Sequence, residues 1–210
     1  VYSSQMDTDK KIILEPITIY ARGERAIGGI TPLMISTNCD YVEVYFKDIM
    51  IAKEYPATNK YPGLKHPPII INIEQNIPGV SSMNWEDLKV IGYINGKAEI
   101  ERKYLKNPTF KELQIFSDDK EINSINEGAS WDSTRITIKA VDSWGNRLPY
   151  INEAINIEVK GAGELIGNDN PVLEGGYYSF WVKTNTKKGI IKITVSNKRV
   201  ESKSIEINVK

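Results

Sequence analysis

The sequence predicts an all-β fold made of two β-sandwich domains in tandem. Apolar and polar residues alternate with a period of two along most of the chain, and the 3.6-residue spacing of amphipathic helices is nearly absent. Turn-forming residues separate the alternating runs at short, regular intervals. The length of 210 residues fits two domains of about 100 residues each, which is the usual size of a small sandwich.

The alternation is clearest in the second half of the chain. Within Thr134–Val141, the apolar residues Ile136, Ile138 and Ala140 point to one side and the polar residues between them to the other. Three more runs alternate in the same way and are also predicted strands: Ile155–Lys160, Ile191–Val195 and Ile205–Val209. Each of these strands is therefore expected to have one buried face and one solvent-exposed face.

The first half has the same character but is less regular. Its predicted strands are Ile12–Ile19, Pro32–Thr37, Tyr41–Phe46, Ile49–Lys53, Ile69–Glu74, Leu88–Ile94 and Ala98–Leu105. Asn95-Gly96 is a strong signal for a hairpin turn, and Lys47-Asp48 separates two strands in the same manner. The Pro-rich stretch Tyr55–Pro68 and the stretch Gln75–Asp87 are expected to be long loops.

The domain boundary is expected near Lys106–Pro108, directly before the β run Phe110–Phe116. We predict a disordered or linker segment at residues 1–10 and an immunoglobulin-like sandwich at residues 11–107. A second, C-terminal immunoglobulin-like sandwich is predicted at residues 108–210. Regularly spaced short strands joined by such turns are typical of this fold.

Charge and composition exclude several classes of partner. Lys+Arg and Asp+Glu both number 27, so the net charge gives no reason to expect nucleic acid or an anionic membrane. No apolar run approaches the ~20 residues needed to span a bilayer. The single cysteine, Cys39, forms no intrachain disulfide and is expected to be a small buried apolar residue.

The start of the chain predicts a segment of a longer protein. The sequence begins at Val1 with a polar stretch, and no signal peptide is visible in it. A lone cysteine is compatible with several compartments. Cytoplasmic, periplasmic and secreted locations therefore all stay open.

The motifs that catalysis requires are missing from the sequence. The only histidine, His66, lies in a His-Pro-Pro run rather than beside a nucleophile. Gly161–Gly167 resembles a dinucleotide fingerprint, but it lies between predicted strands, so no helix N-terminus would meet the pyrophosphate. One histidine and one cysteine leave almost no ligands for zinc. We therefore predict no catalytic residue, no metal site and no cofactor.

A pair of carboxylates is the main alternative kind of catalytic site, because a glycosidase needs only two of them. Glu153, Glu164, Asp169 and Glu174 are expected to be solvated residues of sandwich turns. Four aspartates could instead hold a structural calcium ion at a domain end, although no Asp-x-Asp-x-Asp-Gly loop is present. They are Asp118, Asp119, Asp132 and Asp142.

Aromatic residues are the remaining candidates for binding. Packing is the expected role of most of the four tryptophans, and the alternation around Trp181 leaves open whether this residue or its neighbours are buried. Trp85 and Tyr61 lie in the two predicted long loops. These two are therefore the predicted carbohydrate-binding residues.

One segment of the second half resembles a known family. The matching residues are Glu158–Gly167, Asn170-Pro171, Leu173–Gly176, Phe180–Thr184 and Gly189–Val195. Together they resemble the C-terminal immunoglobulin-like domain of glycoside hydrolase family 2, the β-galactosidase-like group.

The first half adds to the resemblance. Ser36–Phe46 is similar to the "SNCD-x-VE" segment of the preceding domain in those enzymes, and His66–Pro68 and Leu88–Tyr93 follow in the expected order. Lys47-Asp48 stands where the family usually has Asn-Gly. The resemblance extends from about Leu14 to Lys210.

The resemblance implies that the catalytic glutamates lie in a TIM barrel upstream of these domains in the same chain. Asn152-Glu153 spells the acid/base dipeptide of the family, but it falls in a predicted sandwich turn and is interpreted as a coincidence. The leading hypothesis is a non-catalytic C-terminal region of a bacterial β-galactosidase-like glycoside hydrolase, which supports the barrel or the contacts of a homo-oligomer. A carbohydrate-binding module and the stalk of a bacterial surface adhesin are the alternatives.

Overall fold

The computed structural model of the protein describes residues 2–18, 20, 32–73, 86–124 and 131–210. The chain divides into two compact units, Val1–Pro108 and Thr109–Lys210. Strands paired into several sheets make up most of the described structure, so the predicted all-β class is confirmed. No helix within the described residues is long and apolar enough to cross a membrane.

The first unit packs a three-stranded sheet against a four-stranded sheet. Its described strands are β1 (Leu14–Ile17), β2 (Leu33–Thr37), β3 (Tyr41–Phe46), β4 (Ile49–Glu54), β5 (Ile69–Ile71), β6 (Leu88–Ile94) and β7 (Lys97–Tyr104). The strand orders are β1-β2-β5 and β4-β3-β6-β7, with antiparallel neighbours throughout. The core between the sheets includes Leu33, Ile35, Val44, Leu88 and Val90. Within the described residues, each strand predicted for this half has a counterpart, although β1 and β5 are shorter than the predicted Ile12–Ile19 and Ile69–Glu74.

The two predicted turns of this unit also form. Asn95 and Gly96 have φ of 51° and 78°, and both positive values are those a type I′ hairpin requires. The Asn95 N–H donates to a carboxylate oxygen of Asp40 at 2.7 Å. Lys47 takes a φ of 58° in the turn between β3 and β4. Cys39 is buried, as expected.

The segment before β1 differs from the expected disordered or linker segment at residues 1–10. Tyr2–Gln5 form a 3-10 helix. The Gln5 side chain bonds both backbone groups of His66, accepting from its N–H at 3.1 Å and donating to its C=O at 2.7 Å. Asn38 donates to the C=O groups of Met6 and Lys11. The Gln5 side chain thus binds the backbone of the long loop, and the Asn38 side chain, which follows β2, binds the backbone of the segment. Because these groups satisfy one another, the described part of this segment folds onto the sandwich.

The second unit is a sandwich of two four-stranded sheets. Its described strands are β8 (Glu112–Ser117), β9 (Glu121–Ile122), β10 (Ser133–Val141), β11 (Asn156–Gly161), β12 (Gly163–Ile166), β13 (Tyr177–Thr184), β14 (Gly189–Ser196) and β15 (Lys203–Val209). The orders are β12-β13-β10-β8 and β11-β14-β15-β9. The order matches the constant-type immunoglobulin arrangement. The first strand is divided between the sheets, because β8 pairs with β10 and β9 pairs in parallel with β15.

The turn after β10 is held by a buried carboxylate. Asp142 is 2% exposed. One of its oxygens accepts from the N–H groups of Trp144 and Asn146 at 2.8 and 2.9 Å, and the other accepts from the Asn146 side chain at 3.1 Å. These hydrogen bonds take the place of water around the buried carboxylate. The Asp142 side chain therefore holds the predicted turn.

A pair of adjacent glycines forms the turn before β13. Gly175 and Gly176 have φ of 60° and 69°, a region in which other residues are strained. Their surroundings differ. A Cβ on Gly176 would lie 2.2 Å from the Leu148 carbonyl oxygen, whereas a Cβ on Gly175 would meet nothing closer than 3.6 Å.

The difference between these glycines gives a matched test of the fold. Gly175→Ala should destabilise the second unit by about 1–2 kcal/mol through backbone strain alone. Gly176→Ala should cost roughly 2 kcal/mol more, because the backbone must also move away from Leu148. Urea unfolding of both variants measures the difference. Equal losses would show that the close approach to Leu148 does not limit the turn.

Candidate functional site on the second unit

Strand β13 presents aromatic residues to solvent as well as to the core. Phe180 and Val182 point into the sandwich and are buried. Trp181 lies between them in sequence and points outward, with 48% of its surface exposed. Tyr177, four residues earlier on the same side of the strand, is 37% exposed. Alternation along one strand therefore places two large rings on the outer face of the sheet.

The strand register surrounds these rings with residues of both neighbouring strands. Trp181 lies opposite Arg135 of β10 and Ile166 of β12. One step along the sheet, Ser179 lies opposite Thr137, which lies opposite Phe116 of β8. Phe116 is 46% exposed and Ile166 is 37% exposed. We call the outward side chains of Phe116, Ile166, Tyr177 and Trp181 the aromatic face.

Hydroxyl groups occupy the space between the rings of this face. Ser179 Oγ lies 3.1 Å from the Tyr177 hydroxyl and 3.2 Å from Thr137 Oγ1, which lies 3.5 Å from the Tyr177 hydroxyl. Hydrogen bonds from Ser179 and then Thr137 lower the pKa of Tyr177 below its ordinary value. The three hydroxyls therefore form one connected polar patch beside the apolar rings.

Charged residues also border the aromatic face. The Arg135 guanidinium makes two hydrogen bonds to Asp118, from Nε at 3.0 Å and from Nη2 at 3.4 Å. Lys139 Nζ lies 5.1 Å from the centre of the Phe116 ring. Lys183 Nζ lies 3.5 Å from a carboxylate oxygen of Glu164. The face thus alternates between ring surfaces and groups that form hydrogen bonds.

The expectation that most tryptophans pack inside the protein is wrong for the three that the structure describes. Trp131, Trp144 and Trp181 are 50%, 52% and 48% exposed. The cores are filled instead by aliphatic residues and Phe180. The remaining tryptophan, Trp85, lies outside the described residues, so its predicted carbohydrate-binding role stays a prediction.

Tyr61, the other predicted carbohydrate-binding residue, lies in the predicted loop between β4 and β5. Its N–H donates to the Ala57 C=O and its own C=O accepts from Leu64 N–H. The side chain is half-buried, and Lys60 Nζ lies 5.6 Å from the ring centre. The hydrogen-bonded turns give the residue a defined position, and its proposed contact with sugar stays a prediction.

A second aromatic cluster covers the outer face of β3 and β6 in the first unit. Glu43 accepts hydrogen bonds from the hydroxyls of Tyr93 at 2.6 Å and Tyr45 at 2.9 Å. The Tyr93 hydroxyl is the largest cause of the lowered pKa of Glu43, and the same hydrogen bond raises the pKa of Tyr93 to about 12. Glu43 is therefore an ionised, satisfied carboxylate at neutral pH.

The rings of this cluster are occupied by each other and by a cation. Tyr41 stacks on Tyr93 with ring centres 4.7 Å apart and planes 8° apart. Lys53 Nζ lies 4.2 Å from the centre of the Tyr41 ring, so this ring has both a stacked ring and a cation beside it. Within the described residues, the Trp181 ring neither stacks on another ring nor lies beside a cation. The aromatic face of the second unit is consequently the better candidate for stacking with a ligand.

The acidic residues in the part of the chain that the structure describes make hydrogen bonds and ion pairs. Among the described residues, the carboxyl groups with a shifted pKa are Asp7, Glu43 and Glu112, and the pKa of each is lowered, whereas a glycosidase general acid needs a raised one. Glu153 pairs with Arg199, and Asn152 accepts from the Gly175 N–H. Asn152-Glu153 therefore makes structural contacts.

Metal binding finds no support in the same regions. No group of three or more His, Cys, Asp or Glu side chains within the described residues could hold a metal ion. Among the aspartates considered for calcium, Asp142 caps its own turn, and Asp132 accepts from the N–H groups of Asn123 and Ser133. These two carboxylates accept hydrogen bonds from neighbouring backbone N–H groups and from the side-chain amides of Asn146 and Asn123.

A shallow groove of about 310 Å³ lies between β8 and β15. Its lining residues are Glu112, Leu113, Gln114, Ile115, Phe116, Lys203, Ser204 and Ile205. Lys203 bonds Glu112 at 2.9 Å, which lowers the pKa of Glu112 and raises that of Lys203. The groove opens at the strand edges of the sandwich. Lys203 and Glu112, which form the ion pair, are both among its lining residues.

Residues 117–206 match the family model described as glycoside hydrolase family 2 C-terminal domain 5. The second unit is a glycoside hydrolase family 2 C-terminal domain. The resemblance found in the sequence is thereby confirmed. The matched range includes three of the four residues of the aromatic face, and the fourth, Phe116, lies one position before it.

Curated relatives extend the similarity into the first unit. The chain is 42% identical over 180 residues to a β-galactosidase of Thermoanaerobacterium thermosulfurigenes, a match that covers 84% of this chain and 25% of the relative. It is 35% identical over 179 residues to a β-galactosidase of Rhizobium meliloti, with 84% and 23% covered. The chain thus spans about a quarter of the length of these relatives.

Solved structures share the fold. A β-glycosidase from Bacteroides vulgatus matches with a TM-score of 0.68 and 17% identity, over 99% of this chain and 26% of that protein. A β-glucuronidase from glycoside hydrolase family 2 matches with a TM-score of 0.60 and 14% identity, over 95% and 20%. At these identities the likeness concerns the fold alone.

The Glu43–Tyr93 hydrogen bond predicts how stability responds to high pH. The raised pKa of Tyr93 means that the folded state holds a proton that the unfolded state releases between the ordinary value of 10.0 and about 12. The free energy of unfolding should therefore fall as pH rises through this interval. Tyr93→Phe should reduce that fall, as measured by urea unfolding of the first unit at several pH values.

Tyr55→Phe is the control for this experiment. Tyr55 contacts the same cluster through its ring, 5.5 Å from that of Tyr41, and is 59% exposed. This variant should keep the alkaline fall of the wild-type protein. An unchanged fall in Tyr93→Phe would contradict the assignment of the proton to Tyr93.

Proposed function

We propose that this chain is the non-catalytic C-terminal region of a bacterial glycoside hydrolase related to β-galactosidases. In this role the two sandwiches support a catalytic barrel located upstream in the same protein, or the contacts between its subunits. Hydrolysis of the glycosidic bond depends on two carboxylates supplied by that barrel.

The main support is the coverage of the relatives. Two proteins named β-galactosidase match 84% of this chain, yet the matched part is a quarter or less of their own length. A region that makes up a quarter of a longer enzyme fits an accessory domain. The family model, which describes a C-terminal domain, agrees with this role.

The electrostatics of the carboxylates also support an accessory role. A general acid in a glycosidase is kept protonated by an apolar or anionic environment that raises its pKa. Asp7, Glu43 and Glu112 instead have lowered pKa values, caused first by hydrogen bonds from Lys65, Tyr93 and Lys203. Such groups stay ionised and paired at the pH at which a general acid must carry a proton.

The proposal predicts the activity of the chain and of the longer protein. Residues 1–210 alone should not hydrolyse chromogenic galactosides or glucuronides. A longer version that includes the upstream region should hydrolyse one of them. Both proteins are assayed at equal molar concentration, and cooperative unfolding in urea confirms that the shorter one is folded. Activity in the folded fragment would refute the proposal.

A further inference from the structure

The aromatic face of the second unit presents the exposed Trp181 ring beside groups that form hydrogen bonds. We propose that this face binds an extended polysaccharide, with Trp181 as the principal stacking residue. The inference goes beyond the proposed accessory role, because binding needs neither the catalytic region nor its activity.

The spacing of the rings fits a chain-like ligand. Tyr177 and Trp181 are four residues apart on the same side of β13, which corresponds to about 13 Å along an extended strand. Phe116 lies two strands away, across Thr137 from Ser179. One extended ligand lying along β13 therefore contacts both Tyr177 and Trp181.

The polar groups of the aromatic face suit the hydroxyl groups of a sugar. The C–H faces of a pyranose ring pack on aromatic rings, and its hydroxyls need donors and acceptors nearby. Ser179, Thr137 and the Tyr177 hydroxyl lie between the two rings of β13. Arg135 and Asp118 lie next to Trp181, held by two mutual hydrogen bonds. Both requirements are met within one stretch of sheet.

The charges on this face favour a sugar over a protein partner. The core of a protein interface is depleted in charged residues, because burying them removes their water. Arginine is an exception and is enriched at such cores. The relevant charges here are therefore Lys139, directly opposite Tyr177, and Asp118, which accepts two hydrogen bonds from the Arg135 guanidinium. A protein placed over both rings would bury these charges, whereas a polysaccharide leaves water around them and offers hydroxyls to them.

The test measures binding of residues 1–210 to soluble galactan, xylan and mixed-linkage β-glucan by affinity gel electrophoresis and calorimetry. The wild-type protein should bind at least one of them. Trp181→Ala should weaken that binding by about tenfold or more, and Trp181→Phe should retain most of it, because the ring is kept. Tyr177→Ala should cause a smaller loss.

Ile190→Ala is the matched control. Ile190 is 49% exposed, close to the exposure of Trp181, and lies on β14 in the opposite sheet. This variant should bind as the wild-type protein does. Thermal unfolding of each variant shows whether the second unit is intact, so a loss of binding is not confused with a loss of fold.

Three results would overturn the proposal. One is a folded wild-type chain that binds none of the polysaccharides. Another is undiminished binding in Trp181→Ala. The last is a concentration-dependent dimer in sedimentation experiments that Trp181→Ala abolishes, since this would assign the face to protein contact. None of these results depends on hydrolytic activity, so the proposed accessory role is tested separately.

Discussion

Both units depend on the burial of one face of each sheet against the other sheet. No disulfide contributes, because Cys39 is the only cysteine, so the stability of each sandwich comes from cores of fully buried Leu, Ile and Val side chains. The same constraint determines what is outside. Once Phe180 and Val182 enter the core, Trp181 must face away from it, and the aromatic face follows from the packing.

The strands were predictable because their apolar residues fall on one side. In β10, Ile136, Ile138 and Ala140 are buried and the polar residues between them face outward, as the alternation predicts. The orientation of β13 was not predictable in this way. The residues from Tyr177 to Val182 are mostly large and apolar on both sides, so periodicity gives no preferred phase. The side of β13 that is buried depends on the space available in the core, and this space is set by all the strands together.

The Glu43 cluster shows a different limit of the sequence. The outward positions Tyr41, Glu43 and Tyr45 of β3 are visible in the sequence, but their partner Tyr93 is 50 residues away. Their meeting depends on the pairing of β3 with β6, and single-sequence patterns do not specify such a pairing. The cluster is closed by its own contacts, whereas the aromatic face presents an open ring. Aromatic content alone therefore does not distinguish a structural surface from a binding surface.

The divided first strand of the second unit has a mechanical consequence. Because β9 runs parallel to β15, the chain enters β9 and leaves β15 at opposite ends of the pair. The Asn208 and Lys210 N–H groups donate to the C=O groups of Lys120 and Ile122, and the Ser124 N–H donates to the Lys210 C=O. A force that pulls the two ends of this unit apart loads these bonds together in shear, rather than breaking them one after another.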